Sequence, residues 1–136
     1  MVAIPPEVME AVNNPKAAKV LATVKENGSP HIISVGSIIA PNQQTVAFGA
    51  ILMKETSKNL EAMKKKGQEA VVLVTLEMKS YQIRGKVKDK VNSGPLFDKM
   101  NENLKKIGLQ ARDVWTLEPT EIWNQSASYD AGKRMV

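Results

Sequence analysis

The spacing of apolar and polar residues changes period several times along the chain, and each change marks an element. Pro5-Pro6 followed by Glu7 and the apolar spacing Val8, Met9, Val12 predicts a short opening helix, ended by Asn13-Asn14-Pro15 and placed as a lid on the rest of the fold. From Lys19 to Lys25 (KVLATVK) the period drops to two, with Val20, Ala22 and Val24 on one face and Leu21 and Thr23 on the other. Asn27-Gly28 is a strong hairpin-turn signal, since both residues accept a positive φ. A partner strand therefore runs from Pro30 to about Ala40 (PHIISVGSIIA). Gly36 and Ser37 interrupt it, at a bulge in a curved strand or at a close approach by a ligand. Pro41-Asn42 turns the chain into a third strand, Gln44–Ala50. Helical spacing then takes over from Ser57 to Lys66, with Leu60 and Met63 apolar and Gly67 as the stop.

Glu69–Leu76 holds the continuous run VVLVTL, which predicts a strand buried on both faces or facing a partner subunit. In Ser80–Val91, Tyr81, Ile83, Gly85 and Val87 share one face and Gln82, Arg84, Lys86 and Lys88 the other. Leu96–Ile107 returns to helical spacing and is closed by Gly108. A last strand region, Arg112–Trp123, is bent at Pro119, and the polar tail from Asn124 has no period, so it is either disordered or laid on a neighbour. Six strands and three helices without strict βαβ alternation disfavour a doubly wound parallel sheet. They favour a mainly β fold, an antiparallel barrel with peripheral helices.

With 136 residues the chain is one domain, with a core from about 15 to 125, a helix over 1–14 and a tail over 126–136. No run approaches the roughly 18 apolar residues of a membrane span, and Met1–Glu10 lacks the features of a secretory signal, so the cytoplasm is the expected compartment. Zero cysteines and the single His31 speak against a thiolate or multi-histidine metal site. A net charge of +5 suits an anionic ligand. Nucleic acid is not expected, because Tyr81, Trp115, Trp123 and Tyr129 are scattered rather than interleaved with basic residues.

Lys54 to Leu60 (KETSKNL) sets two hydroxyls and two lysines around a helix start that follows a strand. Two readings stand. A helix N-terminus offers free N–H groups and a favourable dipole, and Lys54, Thr56, Ser57, Lys58 and Asn59 would complete a phosphate cradle. Alternatively, Thr56 or Ser57 caps the helix and the lysines are a solvated face. His31 and Arg84 read as ordinary strand residues rather than catalytic groups.

The order of elements resembles the pyridoxamine phosphate oxidase-like FMN-binding split barrels. The resemblance rests on Gly28-Ser29-Pro30-His31 at a hairpin, a Gly/Ser-broken strand, Thr56, Asn59 and Leu60 as T-x-x-N-L, the VVLVTL strand, Ile83 to Val87 as IRGKV, and WTLEPTEIW from Trp115 to Trp123. It covers roughly residues 15 to 125. It implies a six-stranded antiparallel split barrel of Greek-key type, a homodimer, and FMN at the subunit interface. The phosphate would lie on Lys54, Thr56, Ser57, Lys58 and Asn59. Ser34, Val35, Gly36 and Ser37, with Phe48, Gly49 and Ala50, would line the ring, and Trp115 or Trp123 would cover it from the other subunit.

Two departures narrow the resemblance. Glu55 stands where the family often has a basic residue, and the tail carries only Lys133 and Arg134 where vitamin B6 oxidases have an arginine and histidine signature. Oxidation of pyridoxamine phosphate is therefore not expected. The implied function is an FMN-dependent oxidoreductase or electron carrier with a small-molecule or protein donor or acceptor. The alternatives are a non-enzymatic binder of flavin, deazaflavin or haem and, less favoured, a nucleic-acid-binding barrel.

Overall fold

The computed structural model describes residues 2–136. It contains α1 (Pro6–Asn13), β1 (Ala18–Val24), β2 (Pro30–Ser34), β3 (Ile39–Asn42), β4 (Thr45–Ala50), α2 (Lys54–Lys66), β5 (Glu69–Leu76), β6 (Lys79–Val91), α3 (Pro95–Lys105), β7 (Asp113–Asn124) and β8 (Lys133–Arg134). All ladders are antiparallel, in the order β2-β1-β5-β6-β7-β4-β3, with β8 added to β7. Among the described residues eight strands are thus present where six were expected.

One extra strand comes from the Pro30–Ala40 segment, which divides at residues 35–38. Its first half pairs with β1 and its second with β4, so the two halves end up on opposite edges of the sheet. Seven strands laid flat would separate those edges by roughly 29 Å. Five steps of chain from Ser34 to Ile39 span at most about 18 Å. The sheet must therefore curl until its edges nearly meet, and the short connector bridges the seam. Val35 N–H donates to Lys19 O at 3.0 Å, and the Lys19 ammonium donates to Ile38 O at 2.9 Å. On the other side Gly49 N–H donates to Ser37 Oγ at 2.9 Å. Among the described residues no ladder joins β2 to β3, which leaves the barrel split along this line.

The interior is one apolar cluster fed by every layer. Leu21, Phe48, Val72, Val74, Ile83, Trp115, Leu117 and Ile122 come from the strands, Val8 and Val12 from α1, and Leu60 and Met63 from α2. Asn13 fastens α1 to β3, its amide donating to Ala40 O at 3.0 Å and accepting from Ala40 N–H at 2.8 Å. A smaller cluster, with Ala47, Met100, Leu104, Ala111 and Val114, packs α3 against the outside of β4 and β7. Gly49 belongs to that contact, since a Cβ there would lie 2.9 Å from the Ala111 Cβ.

Two strand expectations change. Within the chain β5 is not buried on both faces, since Ala70, Val72 and Val74 are inside whereas Leu73 on the opposite face is 36% exposed, which leaves the partner-facing half of the expectation. The tail is not without structure, because β8 pairs with β7 and Ile122 N–H donates to Val136 O at 3.1 Å.

Candidate functional site

At the seam the strands leave a groove. A cavity of about 340 Å³ is lined by Ile33 to Ser37, Gly49, Ile51 to Met53, and Leu104, Ile107 and Leu109 from the end of α3 and the turn after it. A second cavity, also about 340 Å³, is lined by His31, Ile33 and Leu52 to Thr56. The two share Ile33, Leu52 and Met53 and form one elongated groove. Its ends differ in chemistry. One has Lys54, Glu55, Thr56 and His31, and the other has no charged wall residue among the described residues.

The charged end is the start of α2, which begins at Lys54 rather than Ser57. A polar first turn gives no apolar period, so the earlier start left no trace in the sequence pattern. The consequence is chemical. Thr56 and Ser57 lie inside the first turn, and Met53 occupies the cap position without a side-chain cap hydrogen bond. The capping reading of Thr56 and Ser57 therefore fails. The first N–H groups of α2 have no intrahelical partners, and with the dipole they favour an anion there.

Ser34, Val35, Gly36, Ser37 and Gly49 line the groove, as do Lys54 and Thr56 at its charged end. Phe48 and Ala50 do not: they are 0% and 3% exposed and point into the barrel, because strand periodicity turns them away from the face that Gly49 presents. Lys58 and Asn59 open onto a neighbouring cavity of about 240 Å³ with Lys25, Glu26 and Asn27, and Glu55 borders both. Asn59 is also a structural tie, its amide donating to Thr23 Oγ1 at 3.1 Å inside the fold. Ser57 is half-buried in the helix turn. Trp115 is fully buried, with Lys90 Nζ 5.7 Å from its ring centroid, and covers nothing outside its own core. Trp123 lies on the outer face of β7, half-buried, with Nε1 donating to Glu121 Oε1 at 3.1 Å. It is not part of its own chain's groove.

The wall residues that the sequence reading missed are His31, Ile33, Ile51, Leu52, Met53, Leu104, Ile107 and Leu109. Ile107 and Leu109 flank Gly108, beyond the last residue of α3, a hint that apolar residues continue past the helix stop.

Lys19 anchors the connector from inside, and burial pushes its ammonium below the ordinary 10.5. For a base with a lowered folded-state pKa the unfolded chain binds more protons, so stability rises with pH between the two values. The cost of the buried charge is full below the folded-state pKa and gone above 10.5. Wild type is therefore expected to gain melting temperature relative to Lys19→Met as pH rises from about 8 to about 10, in paired thermal scans. A constant difference would show that the buried charge carries no such cost.

Known proteins share both the sequence pattern and the fold. The family model described as pyridoxamine 5'-phosphate oxidase matches residues 4–126. No curated protein matches the sequence. Among solved structures, HupZ of Group A Streptococcus is 17% identical with a TM-score of 0.76, covering 95% of this chain and 99% of its own. An FMN-binding protein from Syntrophomonas wolfei is 15% identical with a TM-score of 0.76, covering 88% and 84%. HutZ, the haem storage protein of Vibrio cholerae, is 17% identical with a TM-score of 0.63, covering 92% and 97%. These identities speak for a shared fold, and the family match over nine-tenths of the chain, on a barrel split beside a groove with one charged end, closes the question of descent: the chain belongs to the pyridoxamine 5'-phosphate oxidase family.

Proposed function

We propose that the protein is an FMN-binding flavoprotein, acting as an oxidoreductase or electron carrier in the cytoplasm, with the flavin held between two copies of the chain. The observation that carries this reading is the two-ended groove. Lys54, the Thr56 hydroxyl and the uncapped start of α2 suit a phosphate, while the uncharged wall of Ser34 to Ser37 and Gly49 suits a flat ring. Gly36 has open space around the position of a Cβ, so the backbone there can be approached closely. When bound, FMN supplies electron and hydride chemistry, and the protein supplies binding, orientation and electrostatics. Lys54 and Thr56 would hold the phosphate, and the connector pinned by Lys19 and Gly49 would set the height of the ring.

The second copy is supported by the outer face of β2, β1 and β5. Ile32 is 64% exposed and Leu73 36%, and their register neighbours Val20, Ala22 and Val71 turn the same way. An apolar sheet face of this kind marks an association surface. Two copies joined there bring Trp123, at the far end of the same face, toward the partner's groove as a cover for the ring.

Titrating FMN into the purified protein tests the reading. Flavin fluorescence is expected to be quenched with a saturable endpoint of one FMN per chain, and sedimentation is expected to give twice the chain mass. Free FMN with unchanged fluorescence at all protein concentrations would sink the proposal.

A further inference from the structure

Three of the large apolar side chains most open to water converge on the uncharged end of the groove. Leu52 is 91% exposed, Ile107 69% and Leu109 40%. Their positions are fixed by main-chain geometry. Gly108 adopts φ 75°, and Leu109 N–H reaches back to Leu104 O at 2.9 Å, which turns the chain after α3 so that Ile107 and Leu109 both border the groove. Ile51 and Leu104 continue the same wall, and Lys105 and Lys106, although adjacent in sequence, do not line it.

We infer that this rim binds the protein's second substrate, and that this substrate is a neutral, flat, apolar ring compound of the quinone class rather than a phosphorylated or dinucleotide one. The inference rests on the flavin reading above, which places the isoalloxazine on Ser34 to Ser37 with the rim beside it. Charge complementarity decides the class. The wall carries no cation for a second phosphate or carboxylate, and burying an unpaired anion against leucine and isoleucine is strongly unfavourable. An apolar ring that covers Leu52, Ile107 and Leu109 removes exposed hydrocarbon from water on both partners. The two ends of the groove thus divide the work: the charged end is specific for the cofactor's anion and the apolar end excludes anions.

The test uses full-length protein loaded with FMN. Calorimetric titration with 2-methyl-1,4-naphthoquinone is expected to show binding, and with the anionic 1,4-naphthoquinone-2-sulfonate binding at least about tenfold weaker. Leu109→Lys, an exposed position that tolerates charge, is expected to reverse this preference, with FMN affinity read separately from flavin fluorescence and the quinone titrations made at FMN concentrations that saturate the variant. Equal binding of the two quinones, or an unchanged preference in Leu109→Lys, overturns the inference. So does conversion of a dimer to monomer by that substitution, which would make the rim a contact between copies. The same two quinone titrations on protein without FMN separate the readings: if FMN never binds, the flavin reading is refuted, while preference for the neutral quinone supports the rim's selectivity and its loss overturns it.

Discussion

Thr56→Val combined with Lys54→Ala is expected to weaken FMN binding by about 3 kcal/mol or more, roughly a hundredfold or greater rise in Kd, with little loss of fold stability. Each substitution removes a charge-assisted donor, worth about 1.5–3 kcal/mol, from the anion end of the groove. Lys54 is exposed, and valine keeps the shape of the buried Thr56, so the core under α2 is left intact. Fluorescence titration of the double variant and a urea melt together read the two halves of the prediction. Unchanged affinity would mean that the phosphate sits elsewhere, and the first place to look is the adjoining cavity of Lys58 and Asn59.

The largest effect on stability is expected at Phe48. Its ring is wholly enclosed between the two sides of the barrel and pairs in register with Trp115, so Phe48→Ala should cost about 3–5 kcal/mol of unfolding free energy. Phe48→Leu fills most of the space and is expected to keep FMN affinity close to wild type, measured at a temperature where both are folded. A selective loss of flavin binding in Phe48→Leu, without loss of stability, would return this side chain to the groove.

Phe48 also illustrates what is legible in the sequence. Period-two alternation correctly divides β1 into a Leu21 face and a Val20 face, and β6 into a Tyr81 face and a Gln82 face. It does not say which face of β1 is inside. The larger apolar set, Val20, Ala22 and Val24, is the outer one. Counting hydrophobic residues favours the opposite choice, and only an apolar outer surface makes the observed one sensible. Phe48, Gly49 and Ala50 cannot all line one groove, because neighbours in a strand point to opposite sides.

Other features are out of reach because they depend on contacts distant in sequence. The bond of Asn59 to Thr23 and the tie of Lys19 to Ile38 have no local signature. The division of the Pro30–Ala40 segment between two edges of one sheet follows from closure of the whole barrel, which Gly36 and Ser37 permit but do not specify. The start of α2 is hidden for a simpler reason, since Lys54 and Glu55 are polar in loop and helix alike.

The seam has a thermodynamic consequence. The line along which the barrel is held by a few connector bonds instead of a ladder is also the line on which the groove lies. A molecule that bridges both edges there binds the folded chain and not the unfolded one, so it adds RT ln(1 + [L]/Kd) to stability, about 2.7 kcal/mol at a hundredfold excess over Kd. For any such ligand, heat resistance reports how much of it the preparation carries, and two variants are comparable only at the same free ligand concentration.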